Sequence, residues 1–241
     1  AVTDSLSMMD GKVLATVGAR HQKIENYAYN YDTGAETSAY SKSAVTPIAA
    51  LVYKVSPQVS LYGNYSEGLT KGDVAPATSG GKAVANAGTV LSPYKTKQLE
   101  AGIKYDTGKI GGSVALYQSR KPMTGVNSDA VFEVVDHQKN RGIEFSAYGQ
   151  ATDHLKVLGG VSLLDSNVSG KDAIGSPKQQ MNVGVEWAVP KTTGAVLDAR
   201  VIHTGKQYAD AANTQGVPAW TRLDLGARYE KPMGGDKTLT L

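Results

Sequence analysis

Apolar and polar residues alternate one for one along segment after segment of this chain, and a period of two is the side-chain period of a β-strand. Leu99, Ala101, Ile103 and Tyr105 share one parity, while Gln98, Glu100, Gly102 and Lys104 hold the other. The same split separates Ile143, Phe145, Ala147 from Glu144, Ser146, Tyr148, and Met181, Val183, Val185, Trp187 from Gln180, Asn182, Gly184, Glu186. Leu223, Leu225, Ala227 and Tyr229 stand against Arg222, Asp224, Gly226 and Arg228, and similar patterns run through 59–66 and 195–201. Helical spacing fits none of these segments. Each strand therefore owns one oily face and one wet face.

Composition narrows what such strands can build. With 241 residues, 41% apolar residues and mean hydropathy −0.28, the chain has no run near the 18 apolar residues of a membrane-spanning helix. Barrels hide their hydrophobicity in every second residue, so a membrane barrel stays open. The absence of cysteine removes disulfides, thiol nucleophiles and cysteine-held metals. A net charge of +3 names no partner, and no nucleic acid is expected. The 27 Gly and 13 Tyr favour strands and turns. No signal peptide begins at Ala1, so the chain is expected to be mature, processed or cut from a longer one.

Connections supply the second constraint. Short ones with turn chemistry fall at 56–58, 107–110, 152–154, 191–194 and 233–236, and between them lie long polar stretches at 26–42, 69–93, 123–129, 166–177 and 206–219. Tight turns at one end and long loops at the other are the habit of an outer-membrane barrel, not of a soluble sandwich. The expected strands are 12–25, 43–55, 58–68, 94–106, 111–122, 130–151, 155–165, 178–189, 195–205, 220–231 and one from Lys237. That makes about eleven, where bacterial single-chain barrels use even numbers. Residues 1–241 thus read as one partial β-barrel domain, all-β, antiparallel and transmembrane, a stretch of something larger. An antiparallel sandwich with one buried face is the competing fold.

The ordered motifs resemble the TonB-dependent outer-membrane receptors for ferric siderophores. Residues 10–20 look like the family's turn and apolar run closing on Gly18-Ala19-Arg20, and 59–68 is similar to its SLY-x-x-YSEG hairpin. Glu100, Gly102 and Lys104 match the E-x-G-x-K strand; Arg141-Gly142-Ile143-Glu144 matches RGIE; Pro177 and 223–229 fit later strands. The resemblance covers nearly the whole chain. It implies a 22-stranded barrel with a plugged lumen, in the outer membrane of a Gram-negative bacterium, importing ferric siderophore with TonB-coupled energy. This chain would be part of the carboxyl-terminal half. The plug, the TonB-contacting segment and the closing aromatic strand are absent from it, so the partners TonB and plug would act through other parts. Outer-membrane lipid and lipopolysaccharide are the remaining partners. Rival readings are another outer-membrane barrel, a porin or adhesin translocator, and a soluble β-sandwich enzyme or binding domain.

No enzyme motif survives inspection. Gly80-Gly81-Lys82 is followed by Ala83 where a P-loop needs Ser or Thr. Asp32-Thr33-Gly34 and Asp106-Thr107-Gly108 could pair carboxylates as in an aspartic protease, but Asp-x-Gly is ordinary turn chemistry. His21, His137, His154 and His203 have no ligand spacing. No cofactor is expected to be bound directly, since in the resembled family the iron arrives inside its chelator, as the transported ligand. Candidate ligand-binding residues are Tyr27, Tyr29, Tyr31 and Tyr40, a cluster in the first long loop suited to stacking and hydrogen bonding, or equally to an interfacial girdle. Arg120, Lys121, Arg141 and Lys206 near loop bases could draw in an anionic complex, or meet solvent or lipopolysaccharide phosphate. Trp220, opening a strand, reads as a girdle residue.

Overall fold

The computed structural model describes residues 1–190, 194–233 and 238–240, and all its regular structure is strand. Twelve strands follow one another in chain order: β1 (Val2–Met8), β2 (Val13–Tyr29), β3 (Glu36–Lys54), β4 (Val59–Thr70), β5 (Tyr94–Asp106) and β6 (Ile110–Val126). Then come β7 (Phe132–Thr152), β8 (Leu155–Val168), β9 (Gln179–Ala188), β10 (Ala195–Thr204), β11 (Trp220–Pro232) and β12 (Thr238–Thr240). Each bonds to its sequence neighbours, and the two-residue piece Lys171–Asp172 on β8 completes a 13-stranded sheet. All these pairings are antiparallel. Two further hairpins lie in connections; one, Thr78–Ser79 with Lys82–Ala83, turns through Gly80 and Gly81 at φ 57 and 77. That left-handed pair is what a two-residue hairpin loop demands, so the Gly-Gly-Lys run is a turn.

Register sorts the side chains into two faces, because residues paired across antiparallel strands point the same way. On β5 the row Tyr105, Ile103, Ala101, Leu99 lies opposite Gly112, Val114, Leu116, Gln118 of β6, and Leu116 continues to Ile143 of β7. Leu116 is 59% exposed and Leu225 of β11 is 74% exposed, so this outer face has no covering layer among the described residues. The other face carries Glu100, Glu144 and Asn182, and the buried sheet residues Thr46, Ala115, Ser119, Ser166 and Val196 all belong to it. Such a difference is what a sheet curled toward its polar side gives. Two stacked sheets would have buried Ile103, Val185 and Leu225 against one another; they stand 41%, 37% and 74% exposed. The sandwich reading is overturned.

Three expectations are corrected. Val2–Met8 is an additional strand, missed because Asp4 interrupts its alternation, and the count rises from eleven to twelve. The loop expected at 26–42 is mostly strand: β2 runs to Tyr29, β3 starts at Glu36, and only 30–35 connect them. The loop expected at 123–129 is also mostly strand, since β6 runs to Val126 and Asn127 Oδ1 caps the turn by accepting the Asp129 and Val131 amides. Both errors share a cause. Where both faces of a strand are wet, nothing selects apolar residues and the alternation disappears.

The remaining long connections, 71–93, 169–178 and 205–219, lie at the same end of the sheet as 30–35 and 127–131. The opposite end has 9–12, 55–58, 107–109 and 153–154. Most of the turns expected at 191–194 and 233–236, and the strand start at Lys237, fall outside the described residues; Thr238–Thr240 pairs with β11.

Candidate ligand-facing surface

Halfway along the inner face, the E-x-G-x-K spacing has a physical cause. Tyr62 of β4 is paired with Gly102 of β5, and a Cβ on Gly102 would come within 2.7 Å of the Tyr62 ring. The ring therefore lies flat on the glycine. Its hydroxyl donates to Glu100 Oε1 at 2.7 Å, and Lys104 Nζ stands 4.7 Å from its centroid. Glutamate, glycine and lysine, each two residues apart on one strand face, form a cradle for one tyrosine. Tyr117 over Gly142 and Tyr148 over Gly111 repeat the ring-on-glycine arrangement in register: a Cβ on either glycine would come within 2.6 Å and 2.7 Å, respectively, of the tyrosine. Tyr148 donates to Asp106 Oδ2 at 3.0 Å. In the cross-strand row that runs from Tyr62 to Trp220, Tyr62, Ala115, Glu144, Ser162, Gln180 and Thr204 line an open trough of about 670 Å³.

Above this wall, the connections are tied down. Tyr40 is 3% exposed under 71–93; its hydroxyl accepts the Gly72 amide at 3.0 Å and donates to the Leu91 carbonyl at 3.4 Å. Lys42 Nζ donates to Val90 O at 2.8 Å. The far side of this loop holds β6–β7: Ala85 N donates to Ala130 O, and the Asn86 amide exchanges both its bonds with the Phe132 backbone. Likewise 169–178 and 205–219 are joined by Asn213, whose Oδ1 accepts Asp172 N while its Nδ2 donates to Asp172 O. Lys178 pairs with Asp172 at 3.0 Å, a contact that raises the lysine pKa. Asp210 is held below the usual carboxylate range, chiefly by the Gln215 amide it accepts. Tyr40→Phe should destabilise the pinned loop by about 1–3 kcal/mol, since the Gly72 amide and Leu91 carbonyl lose a buried partner. Faster protease cleavage within 71–93, with barrel stability otherwise retained, is the expected reading.

The four tyrosines are not one cluster. Tyr27 lies on the outer face of β2, in the row of Val17 and Lys23; Tyr29 ends that strand; Tyr31 is fully exposed at the hairpin tip; Tyr40 lies inside, its hydroxyl already engaged. The four cations separate as well. Arg120 and Arg141 point outward, in the rows of Leu116 and Ile143, whereas Lys121 shares the inner face with Ser119 and is paired with Gln138. Lys206 sits at the rim with Nζ 5.0 Å from the Tyr208 ring, beside His203 and Asp172. Trp220 is corrected from girdle to inner face: it pairs with Thr204 and shares the parity of Arg222 and Asp224. The outward aromatic residues at the short-turn end are instead Tyr53, Tyr105, Trp187 and Tyr229.

Sequence reasoning missed the amide and hydroxyl group inside the rim. Gln138 Nε2 donates to Asn140 Oδ1 and Ser166 Oγ, Asn140 Nδ2 donates to Ser119 Oγ, and Ser166 Oγ donates to Asn140 Oδ1 at 2.6 Å. Only strand register brings these residues together, and no local motif announces it. The two Asp-Thr-Gly triplets sit at opposite ends of the sheet, in the β2–β3 and β5–β6 turns, with Gly34 and Gly108 at φ 68 and 82. Their carboxylates cannot share a proton. Among the described residues, no three His, Asp or Glu side chains group as metal ligands do.

One curled sheet, oily outside and charged inside, with its long connections gathered at one end, defines a stretch of β-barrel wall of the outer-membrane kind. The family model "TonB dependent receptor-like, beta-barrel" matches residues 2–241, and the chain belongs to that family. It is 38% identical over 252 residues to the ferrichrome receptor FcuA of Yersinia enterocolitica, a match covering 100% of this chain and 33% of that protein. The crystal structure of BauA, the ferric preacinetobactin receptor from Acinetobacter baumannii, superposes with a TM-score of 0.82 at 35% identity, over 96% of this chain and 35% of that one. The alcaligin outer-membrane receptor FauA from Bordetella pertussis shares the fold, with a TM-score of 0.74 at 17% identity, over 98% of this chain and 40% of that one. The chain spans about a third of the length of the first two.

Proposed function

We propose that this chain is part of the wall of an outer-membrane receptor of a Gram-negative bacterium that binds ferric siderophore and imports it with TonB-coupled energy. The outer face meets hydrocarbon, and the inner rim meets the ligand. The observation that carries this reading is the single sheet with an uncovered apolar face and its tied-down connections at one end. FcuA and BauA, by name, take ferric siderophores, which supports the ligand class. The residues assigned to ligand contact are Lys121, Lys206, Tyr31 and Trp220. Tyr40 serves as a loop pin, and the outward Arg120 and Arg141 leave the set. The chelated iron is cargo, so no protein–metal bond and no catalytic step is assigned. TonB and the plug engage other segments of the whole receptor.

The test uses the full-length receptor. Ferrichrome and ferric preacinetobactin are titrated by tryptophan fluorescence against the parent and two variants, Lys121→Gln/Lys206→Gln and the control Lys139→Gln, which is paired with Arg120 on the outer face. The Lys121/Lys206 variant should weaken binding of the preferred probe by five-fold or more, and the control by less than two-fold. Equal losses in both variants would reject the inner-rim assignment, and failure of the parent to bind any ferric siderophore would reject the receptor reading.

A further inference from the structure

The connection 71–93 joins neighbouring strands, β4 and β5, a step of about 4.8 Å that a short turn would cover. It reaches much further. On one side it is bonded to β2 and β3: Lys71 Nζ donates to Asn26 Oδ1 at 3.0 Å, while Tyr40 and Lys42 engage the backbone at Gly72, Leu91 and Val90. Nearer its start, Asp73 N donates to the Tyr94 hydroxyl at 3.0 Å, and Asp73 Oδ2 accepts Thr124 Oγ1 of β6 at 2.8 Å. On the far side, Asn86 and Ala85 hold the backbone at Phe132 and Ala130. From β3 to β7 the connection bridges four strand spacings, about 19 Å.

Register fixes the side of the wall on which this strap lies. Tyr40 and Lys42 share the parity of the inward Thr46, and Asn26 is paired with Tyr40. Tyr94 shares the parity of Glu100 and Gly102. Asn26, Tyr40, Lys42 and Tyr94 thus grip the connection from the inner face, which places it on the lumen side of the rim. It is also folded on itself. Val74 bridges Val90, Ala75 N donates to Thr89 O and Gly88 N to Ala75 O, both at 2.9 Å, and Ala75 and Val84 are buried. Segments that open and close have few buried apolar contacts and backbone bonds open to water. With buried residues of its own and anchors on β3, β6 and the start of β7, this one is built to stay.

We propose that 71–93 is a fixed sieve: it keeps its seat when a ligand arrives, and the gap between it and the rest of the rim sets the largest ferric complex admitted. The proposal rests on the receptor reading above and adds a specificity element to the same mouth. Tyr40, Tyr94 and Asn86 are positioning residues, which act by holding the strap and not by touching the ligand. Rejection by size needs a border that does not yield, since discrimination against a bulky competitor comes from the clash it meets.

The test takes the full-length receptor on intact cells. Gln98→Cys puts a thiol on the inner face, two inward positions below Tyr94, and it is labelled from outside with N-ethylmaleimide or with a polyethylene glycol maleimide of several kilodaltons. Detaching the strap by Tyr40→Phe/Tyr94→Phe/Asn86→Ala should speed the large reagent about ten-fold or more and the small one by less than two-fold. Ferrichrome bearing the same polymer should bind the detached variant at least ten-fold more tightly than the parent. Equal rates for the large reagent in parent and variant overturn the proposal. So does a change of hydrogen exchange within 71–93 when the purified parent is saturated with ferrichrome or ferric preacinetobactin, which would mark a moving lid. Should the triple variant give no folded gel band, Asn86→Ala alone must speed the large reagent at least two-fold for the proposal to stand. Labelling requires no ligand, so failure of the receptor reading shows separately, as a parent that binds neither ferric complex.

Discussion

Leu225→Arg should lower the unfolding free energy of the full-length receptor by about 2–4 kcal/mol, the penalty for an arginine facing lipid near the midplane of a barrel. Leu225 is the middle of five outward positions on β11, between Tyr229 and Thr221, and is 74% exposed within this chain. Its neighbour across β10 is Ala199, which in turn faces Val185, so Val185→Arg belongs to the same level and should behave alike. Leu99 lies one outward step from Lys97, where the outward row of β5 turns from apolar to charged, and Leu99→Arg should lose only about 0–1 kcal/mol, as near an interface. Gln180 is on the inner face, where an added arginine meets water. Gln180→Arg should therefore leave the unfolding midpoint nearly unchanged. Urea titration of folded and unfolded gel bands in detergent or lipid vesicles measures all four; a Gln180→Arg loss matching that of Leu225→Arg would sink the assignment of faces.

Gly102→Ala should lower stability by about 1–3 kcal/mol through overpacking, although it adds a single methyl group to an extended strand. The new Cβ would meet the Tyr62 ring at 2.7 Å and the Val114 carbonyl oxygen at 2.5 Å. The tyrosine must then leave its seat and lose the bond to Glu100. Part of the effect belongs to the pair, so Gly102→Ala should be cheaper in a Tyr62→Ala background by 0.5 kcal/mol or more, the size at which residues in contact begin to couple. Strictly additive losses in that double-mutant cycle would show that the ring is not what the glycine accommodates.

How much of this was legible in the sequence differs by region. Between Leu99 and Tyr105, or Met181 and Trp187, one face needs apolar residues and the other does not, so the alternation reports both the strand and its orientation. Near Tyr27 and Thr124 that pressure is gone, and strands were read as loops. Facing failed for the same reason: Arg120 and Lys121 are neighbours with one composition, and only the pairing of Arg120 with Lys97 and of Lys121 with Gln138 sends them to opposite sides. Trp220 was misassigned because an aromatic residue opening a strand serves a girdle or a lumen equally well until its parity is known. The Gln138, Asn140, Ser119 and Ser166 group joins three strands, and three-strand proximity has no signature along a chain.

The two hydrogen bonds between Asn213 and the Asp172 backbone join two connections that are remote along the chain. One consequence is mechanical. A load placed on either connection is borne by both, so they move as a unit or stay still together. An insertion that lengthened 205–219 near Asn213 would have to be matched by a change around Asp172. The mouth of this barrel segment is in that sense assembled from paired parts, and its variation is constrained by the pair.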